Sequence, residues 1–98
     1  MIRDFFLGFI KIHILYHSGK DSICGVEIIE ELRRHGYAVS PGLIYPTLHS
    51  LEKDGYLKSE RKVVQGRMRK YYQATAKGVR MLEISRVKIK ELVEEIMK

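Results

Sequence analysis

The stretch "SPGLIYPTLHSLEKDGYL", residues 40–57, combines a helical pattern with a face that suits no protein core. Ile44, Leu48 and Leu51 recur at helical spacing and form one apolar stripe. The opposite face carries glycine, proline and polar side chains, which are poor core residues. The stretch therefore predicts a short amphipathic helix whose outer face is kept free for contact with a partner.

The ends of this helix are also marked in the sequence. Ser40 can accept hydrogen bonds from free amides, and Pro41 suits the first helical position. Asp54-Gly55 is a stop signal. We therefore predict a helix over residues 41–53 that is capped by the Ser40 side chain.

Length and composition describe a small globular chain. Its 98 residues, 45% hydrophobic and 31% charged, correspond to one domain and not to a disordered segment. Cys24 is the only cysteine, so no intrachain disulfide can form and the chain suits a reducing compartment. The apolar run 5–16 is interrupted by Lys11 and His13 and is too short to span a bilayer. We expect a cytoplasmic protein without a membrane partner.

Two further helices are predicted before this stretch. Residues 4–17 are apolar nearly all round, which is typical of a helix central to the core or to a subunit interface. A loop over 17–22 follows, and then a helix over 23–35, in which Cys24 lies on the apolar stripe as a small buried side chain. Gly36, after basic residues, ends that helix.

After residue 57 the sequence period changes to two. Segments 57–64 and 69–74 flank the Gly-containing link "QGRM", residues 65–68, which predicts a β-hairpin. Thr75 then caps a last helix that runs to about Met97. The fold class is mainly α with a small β-hairpin wing: a winged helix-turn-helix plus a long C-terminal dimerisation helix.

The last helix carries more apolar surface than its own domain can cover. At about 1.5 Å per residue it is more than about 30 Å long. Its inner residues alternate three and four apart, as in a coiled coil: Leu82, Ser85, Ile89, Leu92 and Ile96. We divide the chain into a winged-helix part, residues 1–75, and a dimerisation helix, residues 76–98, of the same compact domain. The dimer surface is expected to include Phe6, Phe9, Ile10, Leu82, Ile89, Leu92, Val93 and Ile96.

Basic residues concentrate in the predicted hairpin. The chain has a net charge of +6, and the window 58–70 holds six basic residues against Glu60, a net charge of +5. Beside a helix-turn-helix, such a patch indicates double-stranded DNA as the partner. A recognition helix enters a groove about 12 Å wide, so it needs polar side chains without bulky apolar cover. We predict DNA contacts from Ser40, Gly42, Tyr45, Pro46, Thr47, His49, Ser50, Lys53, Arg67, Arg69 and Lys70.

Pro46 has two interpretations that the sequence leaves open. It has no amide to donate to the Gly42 carbonyl, so it can bend the start of the helix toward the DNA backbone and present the Tyr45 hydroxyl. In the other interpretation Pro46 only makes a turn rigid, and the regular helix begins after Tyr45.

Three motifs at their joint spacing resemble the PadR family of prokaryotic transcriptional regulators. They are "GLIYPTLHSLEKDGYL" (42–57), "GRMRKYY" (66–72) and "TAKG" (75–78), and the resemblance covers about residues 5–82. It implies a winged-helix homodimer that binds operator DNA, usually as a repressor, and that dimerises through its C-terminal helix.

The chain also departs from the family's pattern. Cys24-Gly25-Val26-Glu27 stands where the family often has His-Gly-Tyr-Glu, and Ala74 stands at the hydrophobic position before the Thr-x-x-Gly motif. These positions concern the core and an effector pocket. A small-molecule effector is therefore a partner that the resemblance allows but does not identify.

Other classes of function have weaker signals. No Gly-rich phosphate loop, nucleophile motif or carboxylate pair stands out, so neither an enzyme nor a cofactor is expected. His13 and His17 have a metal-compatible spacing, but no Cys, Asp or Glu clusters with them in the sequence; packing is the favoured interpretation, and no metal site is expected. Two alternatives stay open: a winged-helix module that binds protein, and an architectural protein that coats DNA without sequence preference.

Overall fold

A computed structural model describes residues 2–98 of the protein, with side chains from Asp4 onward. Four helices surround a small antiparallel sheet with the strand order β1-β3-β2. In chain order the elements are α1 (Ile2–Lys20), β1 (Ile23–Cys24), α2 (Gly25–Arg34), α3 (Pro41–Lys53), β2 (Leu57–Val64), β3 (Arg67–Ala74) and α4 (Ala76–Ile96). The predicted fold class, a mainly helical winged helix-turn-helix, is confirmed.

The core is built around the apolar stripe of α3. Ile44 and Leu48 are fully buried, together with Ile14 of α1 and Leu32 of α2. Leu57 and Tyr72 close this cluster from the sheet side. Because one stripe of α3 is held in this way, its opposite face has to point outward.

α1 is longer than the sequence pattern predicts. The helix continues to Lys20, so the expected loop over 17–22 is wrong for its first residues. Ser18 is completely buried, and its hydroxyl donates a 2.7 Å hydrogen bond to the Ile14 carbonyl. A serine can be buried when its hydroxyl donates a hydrogen bond to a carbonyl of its own helix. A hydropathy pattern does not reveal such a bond.

The helix predicted over 23–35 begins two residues later, because Ile23 and Cys24 form a short strand. β1 pairs with β3, with Ile23 opposite Tyr72 and Cys24 opposite Tyr71. Cys24 is buried, as expected, but it precedes α2 and does not belong to its stripe. A two-residue strand depends on the partner strand and has no period of its own to detect.

α3 begins at Pro41, as predicted, and runs without interruption past Pro46. The interpretation in which the regular helix starts after Tyr45 is therefore wrong. The Ser40 carbonyl accepts 3.0 Å hydrogen bonds from the amides of Leu43 and Ile44. The Ser40 side chain makes no capping hydrogen bond, so the predicted side-chain cap is also wrong.

The hairpin turn is tighter than the predicted link of four residues. Gln65 and Gly66 both have positive φ angles, 52° and 76°, which defines a two-residue turn of the type I′ kind. β2 and β3 pair along their whole length, from Leu57 opposite Ala74 to Val64 opposite Arg67. Arg67 and Met68 therefore belong to β3. We refer to residues 57–74 as the wing.

The end of α3 and the start of α4 are joined in a small network that we call the junction, formed by segments 54–56 and 75–78. The Thr75 hydroxyl donates to the Gly55 carbonyl (2.6 Å) and accepts from the Gly78 amide (3.1 Å), so Thr75 caps α4 as predicted. The Thr75 amide donates to the Tyr56 carbonyl (3.1 Å). Lys77 Nζ donates to the Asp54 carbonyl at 2.7 Å.

Only the first turns of α4 pack on the rest of the chain. Leu82 is buried in the core, and so is Ile10 of α1, so these two residues do not belong to the dimer surface predicted for them. Beyond Leu82 every α4 residue except the partly buried Ser85 is exposed, and the molecule measures 52 × 29 × 20 Å. Within residues 2–98, no helix combines the length and apolarity needed to cross a bilayer.

The junction makes Gly78 sensitive to substitution. A Cβ atom at Gly78 would overlap the Tyr56 carbonyl oxygen, a backbone atom that cannot rotate away. We expect Gly78→Ala to lower the free energy of unfolding by about 1–3 kcal/mol, because overpacking outweighs the helix propensity of alanine. Urea titration followed by circular dichroism measures the change.

Gly19→Ala is the matched control, since it is also a helical glycine. Its Cβ would lie 3.9 Å from the Ala74 Cβ, an ordinary contact. This variant should be neutral or up to about 1 kcal/mol more stable. Equal stability of the two variants would contradict the close approach at the junction.

Candidate nucleic-acid interface

The outer face of α3 is polar and uncovered. Gly42, Pro46, His49 and Lys53 are all exposed. With about 3.6 residues per turn, these four positions lie together on the side opposite the buried stripe. Gly42 is the second residue of the helix, so its amide is one of the first-turn donors that lack a helical acceptor. The face offers donors and acceptors without bulky apolar cover.

Tyr45 lies on the flank of α3 that faces the wing. Its ring packs over Gly25, where a Cβ atom would come within 2.5 Å of Tyr45 Cε1 and 2.8 Å of its hydroxyl oxygen. Tyr45 also lines a cavity of about 320 Å³ together with wing residues from Arg67 to Lys70. The helix and the wing therefore form one continuous surface, with Tyr45 between them.

Two residues predicted on this surface lie elsewhere. Thr47 is buried, and its hydroxyl donates to the Leu43 carbonyl at 2.7 Å, so it is not available to a partner. Ser50 is exposed, but it lies on the flank away from the wing and lines a cavity with Lys11 and Met81. Helical spacing alone did not show which of the predicted residues lie at the centre of the exposed face of α3 and which lie at its edges.

The wing places like charges opposite each other. Lys62 is the cross-strand partner of Arg69, and Arg61 is the partner of Lys70. Directly opposed like charges destabilise an antiparallel pair. A polyanion laid against the wing would relieve this repulsion, so the arrangement favours an anionic partner.

Two of the three predicted wing cations, Arg69 and Lys70, already contact other residues of the chain. Arg67 is exposed beside the turn. Arg69 is partly covered, with Nη1 at 3.8 Å from Cys24 Sγ. Lys70 Nζ lies 3.2 Å from Glu52 Oε1, and the Ser59 hydroxyl donates to the other Glu52 oxygen.

The Glu52 contacts shift the ionisation of both partners. The hydrogen bond from Ser59, followed by that from Lys70, holds the pKa of Glu52 below its usual value. The hydrogen bond to Glu52 raises the pKa of Lys70. Lys70 therefore stays charged, but its charge is largely compensated, and it contributes less to an anion site than its place in the sequence suggested.

Three exposed cations on β2 were missing from the predicted contact set: Lys58, Arg61 and Lys62. Their signal was available, because all three lie in the basic window 58–70. The predicted wing cations all lie on β3, whereas the three cations of β2 lie at positions 58–62, away from the turn.

Comparisons with known proteins agree with this architecture. The model of the transcriptional regulator PadR-like family matches residues 14–84. The chain is 45% identical to Transcriptional regulator Rv3488 of Mycobacterium tuberculosis over 96 residues, which is 98% of this chain and 90% of that protein.

Two solved structures are similar as well. A PadR-like transcriptional regulator from Bacillus cereus superposes with a TM-score of 0.80 at 30% identity, covering 97% of both chains. A PadR family transcription regulator from Clostridium difficile gives a TM-score of 0.79 at 27% identity, covering 92% of this chain and 99% of that one.

The fold and the exposed surface define a winged helix-turn-helix regulator. The family match extends over most of the chain and over the motifs of α3, the wing and the start of α4. The protein belongs to the PadR-like family of transcriptional regulators. Its role is regulatory and not enzymatic.

Proposed function

We propose that the protein binds double-stranded DNA with sequence specificity, as a homodimer on a palindromic operator, and represses transcription in the cytoplasm. In this proposal α3 enters the major groove, where each base pair presents a distinct set of donors and acceptors. The wing follows the phosphate backbone beside it. The winged-helix part, residues 1–75, reads DNA, and the helix beyond it assembles the dimer.

The observation that carries the DNA proposal is the uncovered polar face of α3 beside a wing with opposed like charges. A surface that binds another protein usually has an apolar centre and few charges. This surface has the opposite composition: the centre holds Gly42, His49 and Lys53, and the edge holds cations. Such a surface matches a groove that is lined by phosphates.

The homodimer proposal rests on exposed apolar side chains that α1 and α4 present together. Phe9 of α1 and Ile89 and Leu92 of α4 line a groove of about 360 Å³. Leu92 is 47% exposed and Ile96 is 63% exposed. Burying such a side chain contributes about 1.5–3 kcal/mol, so a second copy of the same strip is a favourable cover.

Of the residues predicted at the dimer surface, six are exposed on these two helices: Phe6, Phe9, Ile89, Leu92, Val93 and Ile96. The last four lie on the part of α4 that extends beyond Leu82, the last buried residue of that helix. A two-fold arrangement would set two α3 helices about one DNA turn apart, or a multiple of that spacing, which is the basis for proposing a palindromic site. Repression would follow from occupancy of that site.

Selection of bound fragments from genomic DNA with the purified full-length chain tests the proposal as a whole. A two-fold symmetric consensus is the expected result, and its position relative to promoters tests repression. Enrichment without a consensus would favour an architectural protein. Failure to retain duplex DNA at all would favour a module that binds protein.

The wing should supply most of the salt-dependent affinity. We expect the double variant Lys62→Ala, Arg67→Ala to weaken binding to selected and random duplexes alike. It should flatten the slope of log K against log salt by up to about 2, because each phosphate contact contributes roughly 0.9 to that slope. Fluorescence anisotropy across a salt series measures both quantities.

Two controls sharpen this experiment. The double variant Arg80→Ala, Lys90→Ala removes the same charge from exposed positions on α4 and should leave the slope nearly unchanged. Lys70→Ala alone should change the slope less than Arg67→Ala alone, because Glu52 already pairs with Lys70. An unchanged slope in the wing double variant would overturn the assignment of the wing.

His49 should contribute to discrimination between sequences. We expect His49→Ala to reduce the ratio of affinities for the selected and scrambled duplexes by about 1–3 kcal/mol in free energy, since base-edge contacts carry sequence information. Competition binding at fixed salt measures the ratio. Lys53→Ala on the same face should weaken both duplexes equally; a preserved ratio in His49→Ala would assign base reading to other residues.

The apolar strip should determine the oligomeric state. We expect Leu92→Glu to give a folded monomer at micromolar concentration, because a charge at this position opposes burial of the strip. Sedimentation equilibrium measures the mass. Lys90→Glu, on the neighbouring outward position, should stay dimeric. A monomeric wild-type chain would contradict the dimer and the expectation of a palindromic site, but not the binding of DNA.

A further inference from the structure

Three of the four histidines of the chain meet at one place. His13 and His17 lie one turn apart on α1, and His35 follows the last residue of α2. Each ring offers a nitrogen, and these three atoms lie within 4.8 Å of one another. The sequence joined only His13 and His17; the third member is distant in sequence and comes from the packing of α2 on α1.

We propose that His13, His17 and His35 bind a divalent transition-metal ion of the zinc type. Imidazole is a preferred ligand of zinc, cobalt and nickel, and three protein ligands with one open position form a common four-coordinate site. Bonds of about 2.0–2.1 Å around a tetrahedral ion put ligand nitrogens about 3.4 Å apart. The three nitrogens lie within 4.8 Å of one another, so they would have to approach by up to about 1.4 Å to reach that spacing.

The contacts that the three rings make with their neighbours do not involve hydrogen bonds to the ring nitrogens. The His13 and His35 ring centroids are 4.8 Å apart, and the His13 ring meets Tyr37 edge-on at 5.4 Å. These contacts involve ring faces and edges, and within residues 4–98 no side-chain hydrogen bond of these histidines is found. Each neutral imidazole has one nitrogen lone pair, and because no hydrogen-bond donor of the described residues is directed at these rings, the lone pairs are free for an ion.

The pKa values of two of the three histidines, His13 and His17, are lowered by their surroundings. Burial lowers the pKa of His13, and the neighbouring His35 and His17 lower it further. Burial is also the main cause of the lowered pKa of His17. Neutral imidazole is the form that binds a metal ion.

The charges nearby are mixed. Glu31 faces both His13 and His17 and favours a cation there, whereas Lys20 and Arg34 oppose one beside His17. Glu31 Oε1 also lies 2.9 Å from Arg34 Nη1, so this arginine compensates part of the Glu31 charge. Phe9, Leu82 and Ile89 give the adjoining cavity of about 400 Å³ an apolar wall. The open side leaves room for water as the fourth ligand.

An ion at this place would act as a clamp between two elements of the winged helix. It would tie α1, which carries Phe6 and Phe9 of the exposed apolar strip, to the end of α2, the first helix of the helix-turn-helix. The inference concerns the ion itself and does not depend on DNA binding, so it is tested without DNA.

Metal titration of the untagged, full-length chain tests the site directly. With Zn²⁺ in calorimetry and Co²⁺ in absorption spectroscopy, we expect one ion per chain and visible bands of four-coordinate cobalt. Mg²⁺ should not bind, because it prefers oxygen ligands. His13→Gln and His35→Gln should each weaken Zn²⁺ binding by at least about 100-fold, since loss of an outer-shell partner alone costs 10–100-fold.

His49→Gln is the matched control, because it removes the remaining histidine, on α3, and should leave Zn²⁺ affinity unchanged. A second readout needs no variant: Zn²⁺ should shift the NMR ring signals of three histidines and leave the fourth in place. The proposal is overturned by unchanged affinity in His35→Gln, by a cobalt–thiolate band that assigns the ion to Cys24, by four unshifted histidine signals, or by no binding at micromolar Zn²⁺.

Discussion

The rest of the structure depends on the junction, where a single threonine ties three elements together. Thr75 bonds to Gly55, Tyr56 and Gly78, so the end of α3, the base of the wing and the start of α4 share one set of hydrogen bonds. Gly78 lets α4 approach the Tyr56 backbone more closely than any side chain would allow. The motifs "KDGY" and "TAKG" are thus two halves of one contact.

Sequence patterns correctly predicted the elements that are determined by contacts between residues close in sequence. The stripe of α3, its start at Pro41, the Thr75 cap and the hairpin all follow from neighbours within a few residues, and the structure agrees with them. The wrong predictions have two different causes. β1 exists only because β3 lies beside it, and the α1 extension depends on the hidden bond of Ser18.

The site shows the same division between local and distant information. Periodicity identified the exposed side of α3, but Thr47 is buried at its edge, and Lys70 is paired with a residue from another element. Ile10 and Leu82 were predicted at the dimer surface, but they lie in the core. A sequence pattern does not distinguish an apolar residue that is buried within its own chain from one that a second chain would cover. His35 was missed because 18 or more residues separate it from the two histidines that it meets, and only tertiary packing closes that distance.

The opposed cations of the wing reverse the usual effect of salt on a free hairpin. Ion pairs normally weaken as ionic strength rises, but here the nearest cross-strand neighbours are Lys62 with Arg69 and Arg61 with Lys70. Dissolved anions screen that repulsion over about 8–10 Å at ordinary ionic strength. The opposed cations therefore destabilise the isolated wing more in a dilute buffer than at ordinary ionic strength.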